Sequence, residues 1–192
     1  MSFGLDNRTQ AVTDAIISAV KKDKIFFAAA SNSGGNSGRA YPASLRGVIC
    51  VHATDGYGNH AGFNPSKEEG GDNFATLGVA IESRWDKQTV NKSGTSFATP
   101  VAAGIAANVL QFARVHLIKN HGRKMYELLC CYKGMRSMFK CMSTKRTYNY
   151  VAPWNVFSWQ SGGLREDHIK EICDNIEDLL ITGEIPEIWN KS

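Results

Sequence analysis

One short stretch of this sequence contains residues that could perform acyl transfer, and it is centred on Ser96. NKSGTSFATPVAAG, at Asn91–Gly104, places this serine directly before a run of small apolar residues. A serine at a helix N-terminus lies where unpaired backbone N–H groups and the helix dipole favour negative charge, as an oxyanion requires. Gly94 leaves room for a substrate backbone, and Pro100 is expected in the first turn, where its missing N–H costs little.

Ser96 also has an ordinary structural explanation. Thr95 or Ser96 could simply cap a helix, because Ser and Thr are common N-cap residues. The three residues Gly-Thr-Ser, taken alone, favour this explanation.

The elements that must position these residues alternate between helix and strand patterns. Apolar residues recur at helical spacing in Asn7–Lys24, and a long Ala-rich helix is predicted from Ser96 to Leu117. Short apolar runs typical of strands lie between the two helices, at KIFFAAA, GVICVHA, NFATLG and VAIES. The Gly- and Asn-rich segments between these runs predict surface loops. This order predicts an α/β fold with a mostly parallel sheet, assigned to residues 1–118.

From about Asn120 the pattern becomes helical, which predicts a C-terminal helical extension over residues 119–192. Two segments place apolar residues on one helical face: Leu128, Tyr132, Met135 and Phe139 in the first, and Ile169, Ile172, Cys173, Ile176 and Leu180 in the second. The segment between them, TKRTYNYVAPWNVFSWQSGG, is interpreted as an aromatic-rich connector. The extension is a candidate to cover a sheet edge and an apolar face that would otherwise be exposed.

Composition excludes several function classes. The 22 basic and 18 acidic residues are scattered among 192, without the basic stripe that nucleic-acid binding needs. No apolar run approaches the roughly 20 residues needed to cross a bilayer, so no membrane segment is expected. The opening residues lack the features of a signal peptide. Nucleic acid and membrane are therefore not expected partners, and the oligomeric state is left open.

The five cysteines are odd in number and include no CxxC pair, so neither a disulfide framework nor a zinc site is indicated. Free thiols are typical of a reducing compartment, which favours an intracellular location over secretion. The loops contain neither an EF-hand-like ligand pattern nor a GxxxxGK[ST] phosphate loop. No metal or cofactor is expected.

The longer string GTSFATPVAAG closely resembles the active-site serine motif of the subtilisin-like serine proteases, or subtilases. That motif runs Gly-Thr-Ser, any residue, Ala, Ser or Thr, Pro, and shortly afterwards Ala-Gly. The resemblance implies that Ser96 is the nucleophile of peptide-bond hydrolysis, and that Gly94 and Thr95 beside it bind a polypeptide substrate. It implies a partial subtilisin-like fold.

Earlier segments resemble the same family in the same order. MSFG at the start is similar to its substrate-binding Ser-Leu-Gly segment, which implies an edge that pairs with an extended peptide through Ser2, Phe3 and Gly4.

FFAAASNSGG is similar to the strand and turn that carry the family's oxyanion-hole asparagine, and this assigns that role to Asn32. In that role its side-chain amide and the backbone N–H of Ser96 would donate to one developing oxyanion from two sides. Considered alone, Asn32 would be interpreted as a residue that satisfies backbone groups in a Gly-rich turn. The same match places three residues along the wall of the S1 pocket: Ala29, Ala30 and Ser31. YPASLRGVICVHA and NFATLGVAIES match later segments, with Leu77 where the family usually has proline.

The resemblance leaves out the base that a serine nucleophile needs. In subtilases the aspartate and histidine of the triad precede the segment matched by MSFG, so the match corresponds to the C-terminal half of a catalytic domain. A base must come within about 2.6–3.2 Å of the serine Oγ, and His116 lies some twenty residues along a helix that rises about 1.5 Å per residue. The other histidines are expected to be core or surface residues: His52, His60, His121 and His168.

Two hypotheses follow. The first is a serine endopeptidase that works through an acyl-enzyme on Ser96, present here as a fragment that lacks the triad Asp and His and is inactive alone. The alternative is a non-catalytic peptide-binding or interaction module derived from a truncated subtilase. They differ in whether the working polypeptide contains an upstream Asp and His.

Overall fold

A computed structural model describes residues 1–5, 7–158 and 165–189. The helices are α1 (Gln10–Val20), α2 (Thr95–Phe112), α3 (Ile118–His121), α4 (Arg123–Leu129), α5 (Tyr132–Met142) and α6 (Glu166–Thr182). The strands are β1 (Phe26–Ala29), β2 (Val48–Thr54), β3 (Phe74–Leu77), β4 (Ile81–Trp85), β5 (Gln88–Lys92), β6 (Ser143–Lys145) and β7 (Asn149–Val151). A π-helical turn, Ala113–Leu117, joins α2 to α3. Two short 3₁₀ turns, Pro153–Asn155 and Glu187–Trp189, complete the described elements.

The main sheet has the strand order β1-β2-β3-β7-β6. The first four strands run parallel, with Ala29 beside Val51 and Ala75 beside Tyr150, and only β6 is antiparallel. The predicted α/β fold with a mostly parallel sheet is therefore confirmed. The carboxyl ends of β1, β2 and β3 lie at one end of this sheet, where open α/β folds place their ligands.

Layers on both faces explain why all seven residues of β2 are buried. On one face, α2 packs over Phe27, Val51 and Phe74. On the other face, α1 and the segment around Tyr41 cover Cys50 and its neighbours. The helix that begins beside Ser96 is thus held directly against the three strands whose ends form the site.

The C-terminal segment contains two strands that the sequence analysis did not predict. Part of the connector forms β6 and β7, and β7 pairs in parallel with β3, because Tyr148 and Tyr150 pack on one sheet face and Val151 on the other. The edge of β3 is therefore paired within the chain. The segment predicted as one helix is divided at Cys130–Cys131 into α4 and α5, and Leu128 is consequently 40% exposed.

The helical stretch that begins with α2 is longer and more apolar than the sequence analysis expected when it predicted no membrane segment. The helical stretch Thr95–His121 has 27 residues and a mean hydropathy of 1.4, so by length and composition alone it could cross a bilayer. In this structure its small apolar residues pack against β1, β2 and β3. One face of this helix is buried against the sheet, and Ala103, Gly104 and Ala107 on another face are exposed.

The sheet is accompanied by a separate hairpin, in which β4 pairs antiparallel with β5. The sequence predicted a strand at VAIES but not its partner QTVNK, which is short and mostly polar. Asp86 and Lys87 form the tight turn with φ of 46° and 63°. The hairpin returns the chain to Ser93, immediately before the Gly-Thr-Ser motif.

Candidate active site

Asn32 and Thr95, which are 63 residues apart in the sequence, form the central contact of the site. The Thr95 backbone N–H donates to Asn32 Oδ1 at 2.9 Å. The Thr95 hydroxyl lies 3.1 Å from the same oxygen and 3.3 Å from the Ser31 carbonyl oxygen. This contact holds the turn after β1 against the N-terminus of α2, so the two sequence motifs meet at the same end of the sheet.

Ser96 is the second residue of α2 and is half-buried. The backbone N–H groups of Phe97 and Ala98 donate to the Gly94 carbonyl oxygen, whereas the Ser96 N–H meets no protein acceptor among the described residues. A free N–H at a helix N-terminus is suited to bind a negatively charged oxygen. Ser96 therefore presents both a hydroxyl and an unpaired donor to the site.

Pro100 lies further along α2 than the sequence suggested. It is the sixth residue of the helix, in the second turn. The residue at this position would normally donate its N–H to the carbonyl oxygen of Ser96. Because proline has no N–H, the Ser96 carbonyl lacks this helical partner.

Gly94 makes room for a side chain of the protein. A Cβ on Gly94 would lie 3.2 Å from Asn32 Nδ2. This is tighter than an ordinary van der Waals contact, so a larger residue would press on the Asn32 amide. Its predicted role in binding substrate stays a prediction.

Gly78 is a positioning residue that the sequence analysis did not single out. Its N–H donates to the Thr54 carbonyl oxygen at 2.9 Å, and its own carbonyl oxygen accepts from Gly94 at 2.8 Å. A Cβ on Gly78 would lie 2.8 Å from the Ala98 Cβ. The glycine therefore lets α2 begin close to the end of β3, and a glycine at the end of the predicted strand NFATLG was the available signal.

The turn after β1 has an unusual backbone. Ser31 has a φ of 145°, which L-residues rarely adopt, and such conformations cluster at functional sites. Its hydroxyl donates to Ser33 Oγ at 3.1 Å and accepts from the Ser33 N–H. Ala29 and Ala30 before it are 3% and 0% exposed. The assignment of these residues to the S1 pocket stays a prediction.

The N-terminal segment lies beside β1. The Met1 carbonyl oxygen accepts from the Ala29 N–H at 3.1 Å, and the Leu5 N–H donates to Tyr41 at 2.8 Å. The three residues between these anchor points are exposed: Ser2, Phe3 and Gly4. Their predicted pairing with an extended peptide stays a prediction, and their exposure leaves them accessible to one.

No histidine or acid among the described residues forms a hydrogen bond to Ser96. The His52 ring is buried in β2, 3.0 Å from the Phe74 carbonyl oxygen, and stacks on Tyr148. Burial lowers the pKa of His52 to about 4, so this ring is neutral at pH 7. The ring of His121, in α3, contacts Asp174 and Glu177 of α6. His60 lies on the loop after β2, His116 in the π-helical turn after α2, and His168 on α6.

The cysteines are free thiols and none is placed as a nucleophile. Burial raises the pKa of Cys50 and of Cys141 to about 12, which keeps both protonated. Within the described ranges, no group of three or more His, Cys, Asp or Glu side chains is arranged to hold a metal ion. Ser96 remains the nucleophile candidate of this site.

Residues 1–126 match the sequence model of the subtilase family, and this range includes both Asn32 and Ser96. The chain belongs to the subtilase family. It is 35% identical over 112 residues to the M-protease of Shouchella clausii, an alignment that covers 58% of this chain and 29% of that protein. It is 31% identical over 163 residues to the subtilisin-like protease het-Q2 of Podospora anserina, covering 79% of this chain and 44% of that protein. This subtilase chain therefore spans less than half the length of these relatives.

Two solved structures have a similar fold. The prenylagaramide maturation protease PagA gives a TM-score of 0.63 at 19% identity, over 90% of this chain and 60% of that chain. The protease domain of PatA gives a TM-score of 0.63 at 18% identity, over 96% of this chain and 58% of that chain. Because these alignments extend past the family match, the likeness in fold includes part of the C-terminal segment of this subtilase.

Proposed function

We propose that this chain supplies the nucleophile and the oxyanion site of a serine endopeptidase. The observation that carries the proposal is the hydrogen bond from the Thr95 N–H to Asn32 Oδ1, which places an amide side chain at the start of α2. Asn32 Nδ2 and the Ser96 N–H are then two donors at one helix end. A polypeptide is the proposed substrate, in keeping with the proteases to which the chain is similar.

The proposed reaction has two steps. Ser96 Oγ attacks the carbonyl carbon of the peptide bond while a base takes the hydroxyl proton, and the two donors stabilise the tetrahedral oxyanion. Collapse of this intermediate expels the amine, which receives the proton, and leaves an acyl group on Ser96. Water then hydrolyses the acyl-enzyme by the same sequence of proton transfers.

The base is the part that the described residues do not supply, because none of their histidines or acids bonds to Ser96. We propose that a histidine and its orienting carboxylate belong to another part of the working enzyme, so that this chain alone is a fragment with little or no activity. An immunoblot of source cells with an antibody against α6 tests this. A band of the size of the 192-residue chain only, together with full peptidase activity of that chain, would contradict the proposal.

Substitution of the nucleophile tests the chemistry. In the full-length protein, Ser96→Ala should abolish hydrolysis of a fluorogenic peptide, because it removes the hydroxyl that attacks the peptide carbonyl in the proposed reaction. Ser18→Ala changes an exposed serine on α1 and should leave the rate unchanged. Hydrolysis that persists in the Ser96→Ala variant would overturn the assignment.

The second candidate function is a non-catalytic peptide-binding module. It is favoured by the same absence of a base beside Ser96 among the described residues, and by the exposed segment Ser2–Gly4 beside β1. A fluorescent peptide that binds the chain and is released uncleaved from the full-length protein would support this function. Cleavage that depends on Ser96 would exclude it.

A reducing, intracellular compartment is a further proposal. All five cysteines are free thiols, and Cys50, Cys141 and Cys173 are buried. Fractionation of source cells, with the α6 antibody as probe, tests this location.

A further inference from the structure

The joint between α4 and α5 contains two adjacent thiols, Cys130 and Cys131, in a part of the chain that the candidate active site does not use. Both are partly exposed, whereas the other three cysteines are buried: Cys50, Cys141 and Cys173. We propose that this pair is a redox site, at which a hydroperoxide oxidises the two thiols to a disulfide and thereby removes the N-cap of α5. Cys131 attacks the peroxide and Cys130 resolves the product. The pair acts independently of Ser96.

Cys131 is the N-cap residue of α5, a helix of 11 residues. Its sulfur accepts a hydrogen bond from the Gly134 N–H at 3.5 Å and donates to the Leu128 carbonyl oxygen at 3.1 Å. The unpaired N–H groups at a helix N-terminus and the helix dipole stabilise a negatively charged sulfur. Since the thiolate is the form that attacks a peroxide, Cys131 is placed as the nucleophile of the pair.

Cys130 is the C-cap residue of α4, and its environment favours the protonated thiol. Burial raises the pKa of this thiol most strongly, a hydrogen bond with the Tyr126 side chain lowers it, and negative charges on Cys131 and Glu127 raise it. Cys130 therefore keeps its proton while Cys131 is ionised. An accessible thiolate beside a resolving thiol is the arrangement typical of redox-sensing cysteines.

The reaction balances with the hydroperoxide as the oxidant. The Cys131 thiolate attacks the O–H oxygen of the peroxide, the O–O bond breaks, and the leaving alkoxide takes up a proton to become an alcohol. The Cys130 sulfur then attacks the sulfenic acid on Cys131 and loses its own proton, and the S–O bond breaks to release water. Two electrons pass from the sulfurs to the peroxide, and the products are one disulfide, one alcohol and one water.

Adjacency makes this disulfide easy to reduce. Consecutive Cα atoms are about 3.8 Å apart across a trans peptide bond, whereas the Cα atoms of most disulfides are about 4.4–6.8 Å apart. Strained disulfides have more oxidising potentials, so cellular thiols reduce them readily. The modification is therefore reversible, which suits the reducing compartment proposed above.

Oxidation should release the cap of α5. A disulfide has no S–H, so the Leu128 carbonyl oxygen loses its donor, and the new S–S bond draws the Cys131 sulfur away from the Gly134 N–H. The first turn of α5 is packed tightly here, because a Cβ on Gly134 would lie 2.7 Å from the Leu129 Cα. We expect the Gly134 amide to exchange its hydrogen with solvent faster in the oxidised protein. Equal exchange in the two forms would contradict the loss of the cap.

Peptide mass spectrometry of the full-length protein tests the reaction. Trypsin cleaves after Lys124 and Lys133, so both cysteines lie in one peptide, MYELLCCYK. After treatment of the native protein with hydrogen peroxide and alkylation in denaturant, this peptide should lack two hydrogen atoms and carry no alkyl group. Dithiothreitol should restore two alkylation sites, and the three buried cysteines should stay reduced throughout. A peptide that remains reduced, or one that carries separately oxidised cysteines, would overturn the proposal.

Serine variants assign the two roles. In Cys130→Ser, peroxide should leave a sulfenic acid on Cys131 that dimedone traps, whereas in Cys131→Ser the remaining thiol should stay reduced at the same dose. Equal reaction in both variants would contradict the order of attack. If a variant does not fold, limiting iodoacetamide should alkylate Cys131 of the unsubstituted protein before Cys130, and the reverse order would overturn the assignment.

Ser96→Ala separates this proposal from the proposed function. The variant should form the disulfide as the unsubstituted protein does, whether or not it hydrolyses peptides. Loss of disulfide formation in a folded Ser96→Ala protein would contradict the independence of the pair.

Discussion

At the scale of single residues, the site depends on which polar atoms are already engaged within the protein. Asn32 Oδ1 is bonded to Thr95, and this leaves Nδ2 and the Ser96 N–H as the free donors. The donors are held by local contacts of the turn after β1 and the start of α2. The two donors therefore exist before any substrate binds.

Removing one of these donors should affect the chemical step. In the full-length enzyme we expect Asn32→Ala to lower kcat by roughly 100- to 1000-fold, or about 2.7–4 kcal/mol of transition-state stabilisation, with little change in KM. Asn36→Ala, at an exposed position in the same loop, is the control and should leave both constants unchanged. A change confined to KM would mean that Asn32 binds substrate and does not stabilise the oxyanion.

Gly78 gives a prediction about the packing beneath the site. Gly78→Ala places a Cβ 2.8 Å from the Ala98 Cβ and 2.9 Å from the Ala53 Cβ, so α2 must shift away from β3. Overpacking of this kind costs about 1–3 kcal/mol in the free energy of unfolding, measurable by urea denaturation. Gly38→Ala meets nothing within 4 Å and should change stability by no more than about 0.5 kcal/mol. Equal effects of the two substitutions would contradict the close approach of α2.

The sequence predicted Ser96 as a candidate because a long, specific motif contains it, and Asn32 because FFAAASNSGG resembles the segment that carries the family's oxyanion-hole asparagine. It did not predict the contact between Asn32 and Thr95, since hydrogen bonds across 63 residues depend on how α2 packs on the sheet. The position of Gly78 beneath α2 was missed for the same reason. Local motifs identify reactive residues, whereas the residues that orient them become visible only in three dimensions.

At the scale of elements, the strength of the periodic pattern decided which predictions succeeded. The helix predicted from Ser96 to Leu117 corresponds to α2 and the π-helical turn, and the apolar runs correspond to β1, β2 and β3. The missed strands β5, β6 and β7 are three to five residues long. Runs this short carry too little alternation to be distinguished from loops, and their pairing is set by tertiary contacts.

Helix α6 should contribute to the stability of the whole chain. Ile176 is fully buried in the same hydrophobic cluster as residues of β2 and α2, so Ile176→Ala should lower the free energy of unfolding by about 2–5 kcal/mol. Ile181→Ala, on the same helix at 64% exposure, should have little effect. Urea unfolding followed by circular dichroism measures both. A loss confined to helix α6, with the sheet unaffected, would contradict the shared core.

At the scale of the whole molecule, the C-terminal segment completes the sheet. β7 pairs with the edge of β3, and residues of α5 and α6 join the core that α2 and the sheet form. The sequence indicated that this segment would cover an exposed edge, but it did not indicate that strands would do so. The position of a covering segment depends on long-range pairing, which local patterns do not encode.

The buried His52 predicts how global stability depends on pH. Its pKa is about 4 in the folded chain, below the value of 6.5 for a free histidine, so the unfolded state binds a proton more readily. This contribution to stability is complete above pH 6.5 and is lost as the pH falls towards 4, by about 3 kcal/mol in total. Urea titrations at several pH values measure the slope, which should be smaller in His52→Phe. Equal slopes in the two proteins would contradict a neutral buried ring.

The central claim, that Ser96 is an activated nucleophile beside a preformed oxyanion site, is tested most directly by covalent labelling of the native protein. The polypeptide purified from its source is treated with a fluorophosphonate, and the modified residue is located by peptide mass spectrometry. The account predicts one adduct on Ser96, which Ser96→Ala abolishes and which Asn32→Ala forms more slowly. Peptide hydrolysis by a preparation whose adduct lies on another residue, or which forms none, would contradict it.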